Sequence, residues 1–119
     1  MSNATEHHQP LSPTDYHVLL VLADADQYGY AIMKAIEEES GGVVRPEIGS
    51  LYRVLARLMG EGMVEEADAP AEAPDVHRGR PRRYYRLTAR GRQVLAAESV
   101  RLDQVMALAR ARNVLADVP

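Results

Sequence analysis

Three polar side chains recur on one side of a segment that reads RPEIGSLYRVLARLMGEG, residues 45–62. Ser50, Arg53 and Arg57 are spaced three and four residues apart, so a helix would place them on a common face. The guanidinium group of arginine forms paired hydrogen bonds with phosphate or with guanine, and a serine hydroxyl group can bond a phosphate oxygen. The spacing therefore predicts a face that contacts nucleic acid. An ordinary solvated face of a surface helix is the alternative.

A second basic feature covers residues 76–92, which contain no acidic residue and seven arginines: Arg78, Arg80, Arg82, Arg83, Arg86, Arg90 and Arg92. The whole chain is acidic, with 14 basic and 17 acidic residues and a net charge of −3. The distribution of charge, more than its sum, marks a surface that binds nucleic acid. We expect the first four of these arginines to contact phosphates or the minor groove. Arg86 could instead pair with Glu65 or Glu66.

Apolar residues at helical spacing predict the elements that position these side chains. A first helix is expected over residues 13–25, with Ser12 as its N-cap and Asp15 as the carboxylate that returns to the cap. A second helix is expected over residues 28–40 and a third over residues 46–60, which gives a helix-turn-helix. The residues expected on the buried faces are Leu19, Leu20, Leu22, Ala23, Ala31, Ile32, Ala35, Ile36, Leu51, Val54, Leu55, Leu58 and Met59.

Two short strands are predicted after the third helix. Residues 63–67 follow a glycine, and residues 82–87, RRYYRL, contain two aromatic residues. The segment between them, residues 68–81, is rich in proline, alanine and charge and is predicted to be a loop. Two strands and a basic loop after a helix-turn-helix form a wing. The predicted fold is therefore mainly α with a small β-wing.

A long last helix is predicted from Ala89 to about Leu115, with Thr88 as its N-cap. Its apolar groups are too many for the surface of a small domain, so we expect a second copy of the chain to cover them. Packing of part of this stripe on the first helix is the alternative. The predicted dimerisation residues are Leu95, Leu102, Val105, Met106 and Ala109. The predicted organisation is a disordered tail (1–10), a winged helix DNA-binding domain (11–91), and a C-terminal dimerisation helix with its tail (92–119).

The composition argues against several other classes of protein. The 119-residue chain has no cysteine, which excludes disulfides and thiolate metal sites and is typical of a cytoplasmic protein. No apolar run approaches the roughly 20 residues of a membrane span, so no membrane partner is expected. His17 and His77 are far apart in the sequence and have no paired nucleophile. We therefore expect no enzymatic activity, no metal and no other cofactor.

Several groups of residues together resemble the PadR-type transcriptional regulators. These groups are Tyr28-Gly29-Tyr30 with Ile32, Gly49-Ser50-Leu51-Tyr52 with Leu55 and Leu58, Glu61-Gly62-Met63-Val64, and Gly79-Arg80-Pro81-Arg82-Arg83-Tyr84-Tyr85-Arg86-Leu87-Thr88 with Gly91. The resemblance covers residues 11–116, and the single C-terminal helix is similar to that of the short members. It implies a homodimer that binds double-stranded operator DNA and usually represses nearby genes. It also implies an aromatic or otherwise hydrophobic small-molecule effector.

Two functions remain open from the sequence. The first is a dimeric DNA-binding repressor, whose predicted DNA-binding residues are Arg45, Ser50, Tyr52, Arg53, Arg57, Arg78, Arg80, Arg82 and Arg83. The second is a winged-helix module that uses residues 82–92 to bind an acidic protein. Two basic faces at once favour DNA. Retention on non-specific DNA under a salt gradient would separate the two functions.

Overall fold

The computed structural model of the protein describes residues 10–70 and 83–115. In chain order its elements are α1 (Pro13–Asp24), β1 (Gln27–Tyr28), α2 (Gly29–Glu39), α3 (Ile48–Gly60), β2 (Val64–Ala67), β3 (Tyr84–Leu87) and α4 (Ala89–Ala111). The predicted mainly α fold with a small sheet is confirmed. The predicted tail over residues 1–9 and most of the wing loop lie outside the described residues.

The sheet has three antiparallel strands in the order β1-β3-β2. On one side of β3, Tyr28 is the partner of Tyr84, and on the other side Val64 is the partner of Leu87. The edge strand β1 was missed, because no strand was predicted between the first two helices. A two-residue strand has no alternation of its own, and only its pairing with β3 defines it. The wing strand β3 is therefore held on both edges.

The core lies between the three N-terminal helices, the sheet and the first half of α4. Its buried side chains are Val18, Leu19, Val21, Leu22, Ile32, Ile36, Leu51, Leu55, Leu58, Met63, Val64, Tyr85, Leu87 and Leu95. Leu20 and Met59 are exposed, so their predicted burial is wrong. Residues 18–23 read VLLVLA. Because these six consecutive apolar residues point to every side of the helix, their periodicity does not show which side is buried. Tertiary packing selects Val18 and Val21 in place of Leu20.

Both predicted N-caps are confirmed. The Ser12 hydroxyl oxygen accepts a hydrogen bond of 3.0 Å from the Asp15 N–H group, and Thr88 caps α4 in the same way. Two details differ from the prediction. Helix α3 begins at Ile48 rather than at Pro46, and the Asp15 carboxylate accepts a hydrogen bond from Arg57 at 2.7 Å instead of returning to the cap. A charged donor from another helix offers a stronger bond than the cap does.

The start of α4 packs directly on backbone. A Cβ atom on Gly91 would overlap the Met63 carbonyl oxygen and would lie 2.7 Å from Cδ1 of Leu87. That carbonyl oxygen is fixed, because it accepts a hydrogen bond of 3.0 Å from the Thr88 N–H group. The Thr88 hydroxyl group also donates to the Gly62 carbonyl oxygen at 2.6 Å. Only glycine fits at position 91. This gives a physical reason for Gly91 in the pattern Leu87-Thr88-x-x-Gly91.

A buried carboxylate joins the start of α1 to the middle of α4. Glu98 is 1% exposed, and its Oε2 atom accepts a hydrogen bond of 3.1 Å from the Leu11 N–H group. Arg101 donates two further bonds to Glu98, each 2.8 Å long. The Tyr16 hydroxyl group lies 2.7 Å from the Ser99 hydroxyl oxygen beside this cluster. A buried charge is tolerated only when it is paired and hydrogen-bonded in this way.

Candidate nucleic-acid interface

The exposed face of α3 is the first part of the candidate interface. Leu51, Leu55 and Leu58 are buried and orient the helix, so its opposite side faces solvent. Arg53 is exposed on that side and donates a hydrogen bond of 3.1 Å to the Ser50 hydroxyl oxygen. Arg45 is exposed in the segment that precedes α3. The N-terminal half of α3 therefore presents hydroxyl and guanidinium groups together, as the sequence predicted.

Tyr52 is held against the start of α2 by a close approach. A Cβ atom on Gly29 would lie 2.6 Å from the Tyr52 hydroxyl oxygen and 2.8 Å from Cζ of its ring. The ring thus lies over a glycine, which relates the Tyr28-Gly29-Tyr30 motif physically to α3. Tyr52 remains exposed on its other side. It can contact a partner without a change in the packing of α2 and α3.

Arg57 pairs with acidic residues in the structure, whereas Arg53, four residues earlier on the same helix, bonds Ser50. The guanidinium group of Arg57 lies 2.7 Å from the Asp15 carboxylate of α1 and 3.7 Å from the Glu61 carboxylate. The hydrogen bond from Arg57 to Asp15 raises the pKa of Arg57 above its ordinary value. The sequence could not reveal this contact, because Asp15 and Arg57 belong to different helices.

The base of the wing carries two paired arginines. Arg83 lies 2.8 Å from the Glu66 carboxylate, and a hydrogen bond to the Tyr85 side chain raises the pKa of Arg83. Burial raises the pKa of Tyr85 above its ordinary value. The predicted pairing of Arg86 with Glu65 is confirmed, with the charged groups 3.8 Å apart. Arg86 also lies 3.2 Å from the Asp26 carboxylate. Arg78, Arg80 and Arg82 lie outside the described residues.

The far half of α4 continues the stripe that packs on the domain. Leu95 is 6% exposed and belongs to the core, so the domain itself covers this predicted dimerisation residue. The same stripe then passes beyond the domain, with Leu102 and Ala109 partly exposed and Val105 46% exposed. Met106 is exposed beside them. The alternative of packing on the first helix thus accounts for the first part of the stripe only.

The sequence profile of the PadR-like transcriptional regulators matches residues 18–97. The chain belongs to the PadR-like family. A 37.1 kDa protein in transposon Tn4556 of Streptomyces fradiae is 42% identical over 82 residues, which are 69% of this chain. The match spans 21% of the length of that relative. Since the family consists of transcriptional regulators, the prediction that the protein is not an enzyme is confirmed.

Two solved PadR structures have the same fold. A PadR family transcription regulator from Clostridium difficile aligns with a TM-score of 0.66 at 20% identity, over 84% of this chain and 97% of that one. Bacillus subtilis PadR, solved in complex with operator DNA, aligns with a TM-score of 0.56 at 24% identity, over 69% of this chain and 44% of that one. The predicted winged helix fold is confirmed by this likeness.

Residues 10–70 and 83–115 contain neither a membrane-spanning helix nor a cluster of metal ligands. No helix in these ranges is long and apolar enough to span a bilayer. No group of three or more potential metal ligands occurs there either. The described surface features that remain for function are the face of α3, the wing base and the distal half of α4.

Proposed function

We propose that the protein is a homodimeric repressor that binds operator DNA in the cytoplasm and is released by a hydrophobic or aromatic small molecule. The exposed face of α3, with Tyr52 and Arg53 held in place by Gly29 and Ser50, carries the proposal. The Bacillus subtilis neighbour of the same fold was solved with operator DNA. In this proposal α3 enters the major groove and acts as the recognition helix.

The proposed contacts divide between α3 and the wing. Arg45, Ser50, Tyr52 and Arg53 lie at or before the N-terminal half of α3, which is the part of a recognition helix that reaches base edges and nearby phosphates. Arg83 joins the predicted Arg78, Arg80 and Arg82 at the wing. Both partners of the Arg83–Glu66 pair are exposed, and an ion pair in water contributes little to stability. A DNA phosphate can therefore replace Glu66 at little cost.

The exposed stripe on α4 supports the dimer. Leu102, Val105, Met106 and Ala109 recur at helical spacing beyond the domain. Two chains paired through this stripe would present two α3 helices related by a twofold axis. Such a pair reads half-sites roughly 34 Å apart, or one turn of DNA. The alternative partner, an acidic protein, is less favoured because Arg45 and Arg53 add a second exposed basic face beside α3, and two basic faces favour DNA.

The experiment that tests the proposal is selection of bound fragments from the source genome by the purified protein. A single enriched site with inverted half-sites is expected, and its flanking genes identify what is regulated. Binding to that duplex should weaken steeply with salt, because arginines displace counterions from phosphates. Enrichment of no fragment above the input DNA would refute the proposal.

Arg53→Ala should weaken operator binding by about 1–3 kcal/mol, the usual contribution of a paired arginine–guanine contact. The thermal midpoint should stay nearly unchanged, because Arg53 is exposed and hydrogen-bonds a serine of its own helix. Fluorescence anisotropy with the selected duplex measures the affinity. Lys34→Ala removes the same charge from an exposed position on α2 and serves as the control. Equal affinities for the two variants would remove Arg53 from the interface.

A further inference from the structure

The ion pair between Arg57 and Asp15 ties the C-terminal half of α3 to the first turn of α1. The Nη2 atom of Arg57 lies 2.7 Å from Oδ1 of Asp15, across 42 residues of sequence. Asp15 is 8% exposed, and its own N–H group donates to the Ser12 cap. The acceptor is therefore fixed to the start of a helix and is largely removed from water.

The charges around Arg57 do not favour a DNA contact. Its guanidinium group lies between two carboxylates, those of Asp15 at 2.7 Å and Glu61 at 3.7 Å. These two carboxylates already offset the positive charge of Arg57, so its attraction for a phosphate group is weakened. Arg90 also lies at this end of α3, where it donates a hydrogen bond of 3.0 Å to the Glu61 carbonyl oxygen. Arg53 differs from Arg57, because its hydrogen-bond partner is the neutral Ser50 hydroxyl group.

The pair adds a directional restraint to the apolar packing of α3. Leu51, Leu55 and Leu58 hold the helix on the core and determine which face is buried. The N-cap residue Glu47 makes no side-chain cap bond. A charge-assisted hydrogen bond to a nearly buried carboxylate prefers a short distance and a straight geometry. It therefore restrains the C-terminal half of α3 relative to the first turn of α1.

We infer that Arg57 is a positioning residue, which orients the recognition helix through Asp15 and does not itself contact DNA. This inference rests on the proposed function, because it assumes that α3 reads the operator. It assigns Asp15, an acidic residue remote from the predicted DNA-binding residues in sequence, a role in operator recognition. It also revises the prediction from spacing that placed Arg57 among the DNA contacts.

The substitution Asp15→Asn gives opposite results under the two roles of Arg57. If Arg57 positions α3, the substitution should weaken binding to the selected operator duplex roughly tenfold, because a bond to a charged group is lost. If Arg57 contacts DNA, the substitution removes a repulsive charge and frees the guanidinium group, so binding should tighten. We would measure the affinity by fluorescence anisotropy for the operator duplex and for a duplex of shuffled sequence. Operator affinity equal to or above that of the parent would overturn the inference.

The shuffled duplex separates positioning from general loss of structure. A misoriented α3 should lose operator affinity while binding to the shuffled duplex stays near the parent value, since that binding depends on phosphates. Equal losses on both duplexes would overturn the inference, because they would indicate damage beyond the orientation of α3. Glu38→Gln, which neutralises an exposed acid on α2, controls for the change of net charge and should leave the operator affinity unchanged.

The salt dependence of Arg57→Ala decides the question if Asp15→Asn does not fold. A lost phosphate contact flattens the slope of log affinity against log salt by about 1, whereas a lost positioning residue leaves the slope unchanged. The inference expects the parent slope with a reduced operator affinity. A flattened slope would overturn it while leaving the proposed function intact. Failure of the parent protein to bind either duplex would instead contradict the proposed function.

Discussion

The double substitution Leu102→Glu and Met106→Glu should convert the protein to a monomer and abolish tight operator binding. Both residues lie on the α4 stripe beyond the domain, and two carboxylates there would be buried without partners in a dimer. Burial of a large aliphatic side chain contributes about 1.5–3 kcal/mol, so this stripe can offset the entropy of association. Loss of the second half-site should lower operator affinity on the order of 100-fold or more.

Sedimentation equilibrium at low micromolar concentration would measure the oligomeric state, and anisotropy would measure the affinity. The matched control is Gln104→Glu with Ala111→Glu, which adds the same two charges on the opposite, exposed side of α4. The control should remain a dimer. A parent protein that sediments as a monomer, or a Leu102→Glu and Met106→Glu variant that stays dimeric with full affinity, would contradict the prediction.

Gly91→Ala should lower the free energy of unfolding by about 1–3 kcal/mol, which is typical when an atom is added to a packed region. The added Cβ would overlap the Met63 carbonyl oxygen. Relief requires movement of α4 or of the turn before β2, and two bonds from Thr88 resist both movements. The loss should be large because the obstacle is backbone rather than the end of a flexible side chain.

Urea unfolding followed by circular dichroism would measure the effect of Gly91→Ala. Gly60→Ala is the control, because a Cβ at that position of α3 meets nothing within 4 Å. The control should be neutral or stabilising by up to about 1 kcal/mol, since alanine favours the helix over glycine. A Gly91→Ala protein as stable as the parent would show that the α4 start can move away from the turn.

The sequence was sufficient where the determining interactions are local. Ser12 and Thr88 each accept a hydrogen bond from a backbone N–H group three residues later. A short pattern of residue types identifies such caps. The limits of α2 and the start of α4 follow from glycines, caps and apolar spacing in the same way, but α4 ends at Ala111 rather than near Leu115. Ser50 and Arg53 also lie together on α3, as their spacing predicted, because they are neighbours on a single helix.

The sequence was insufficient where a partner is distant along the chain. Arg57 meets Asp15 from another helix, and Glu98 meets Leu11 across 87 residues. No periodicity encodes either contact. A short edge strand such as β1 exists only because β3 lies beside it. The role of Leu95 was also hidden from the sequence. Leu95, Leu102 and Ala109 are seven residues apart, and this regular spacing does not show that the domain covers Leu95 and leaves the other two partly exposed.

Residues 11–16, which comprise the segment before α1 and its first turn, contact both α3 and α4. Within six residues, Leu11 is bonded to Glu98 of α4, Asp15 to Arg57 of α3, and Tyr16 to Ser99 of α4. An effector that shifts α4 would displace the same turn that orients α3, so no long chain of contacts is needed for allostery. Linkage is reciprocal: the factor by which such an effector lowers operator affinity is the factor by which operator DNA lowers the affinity for the effector.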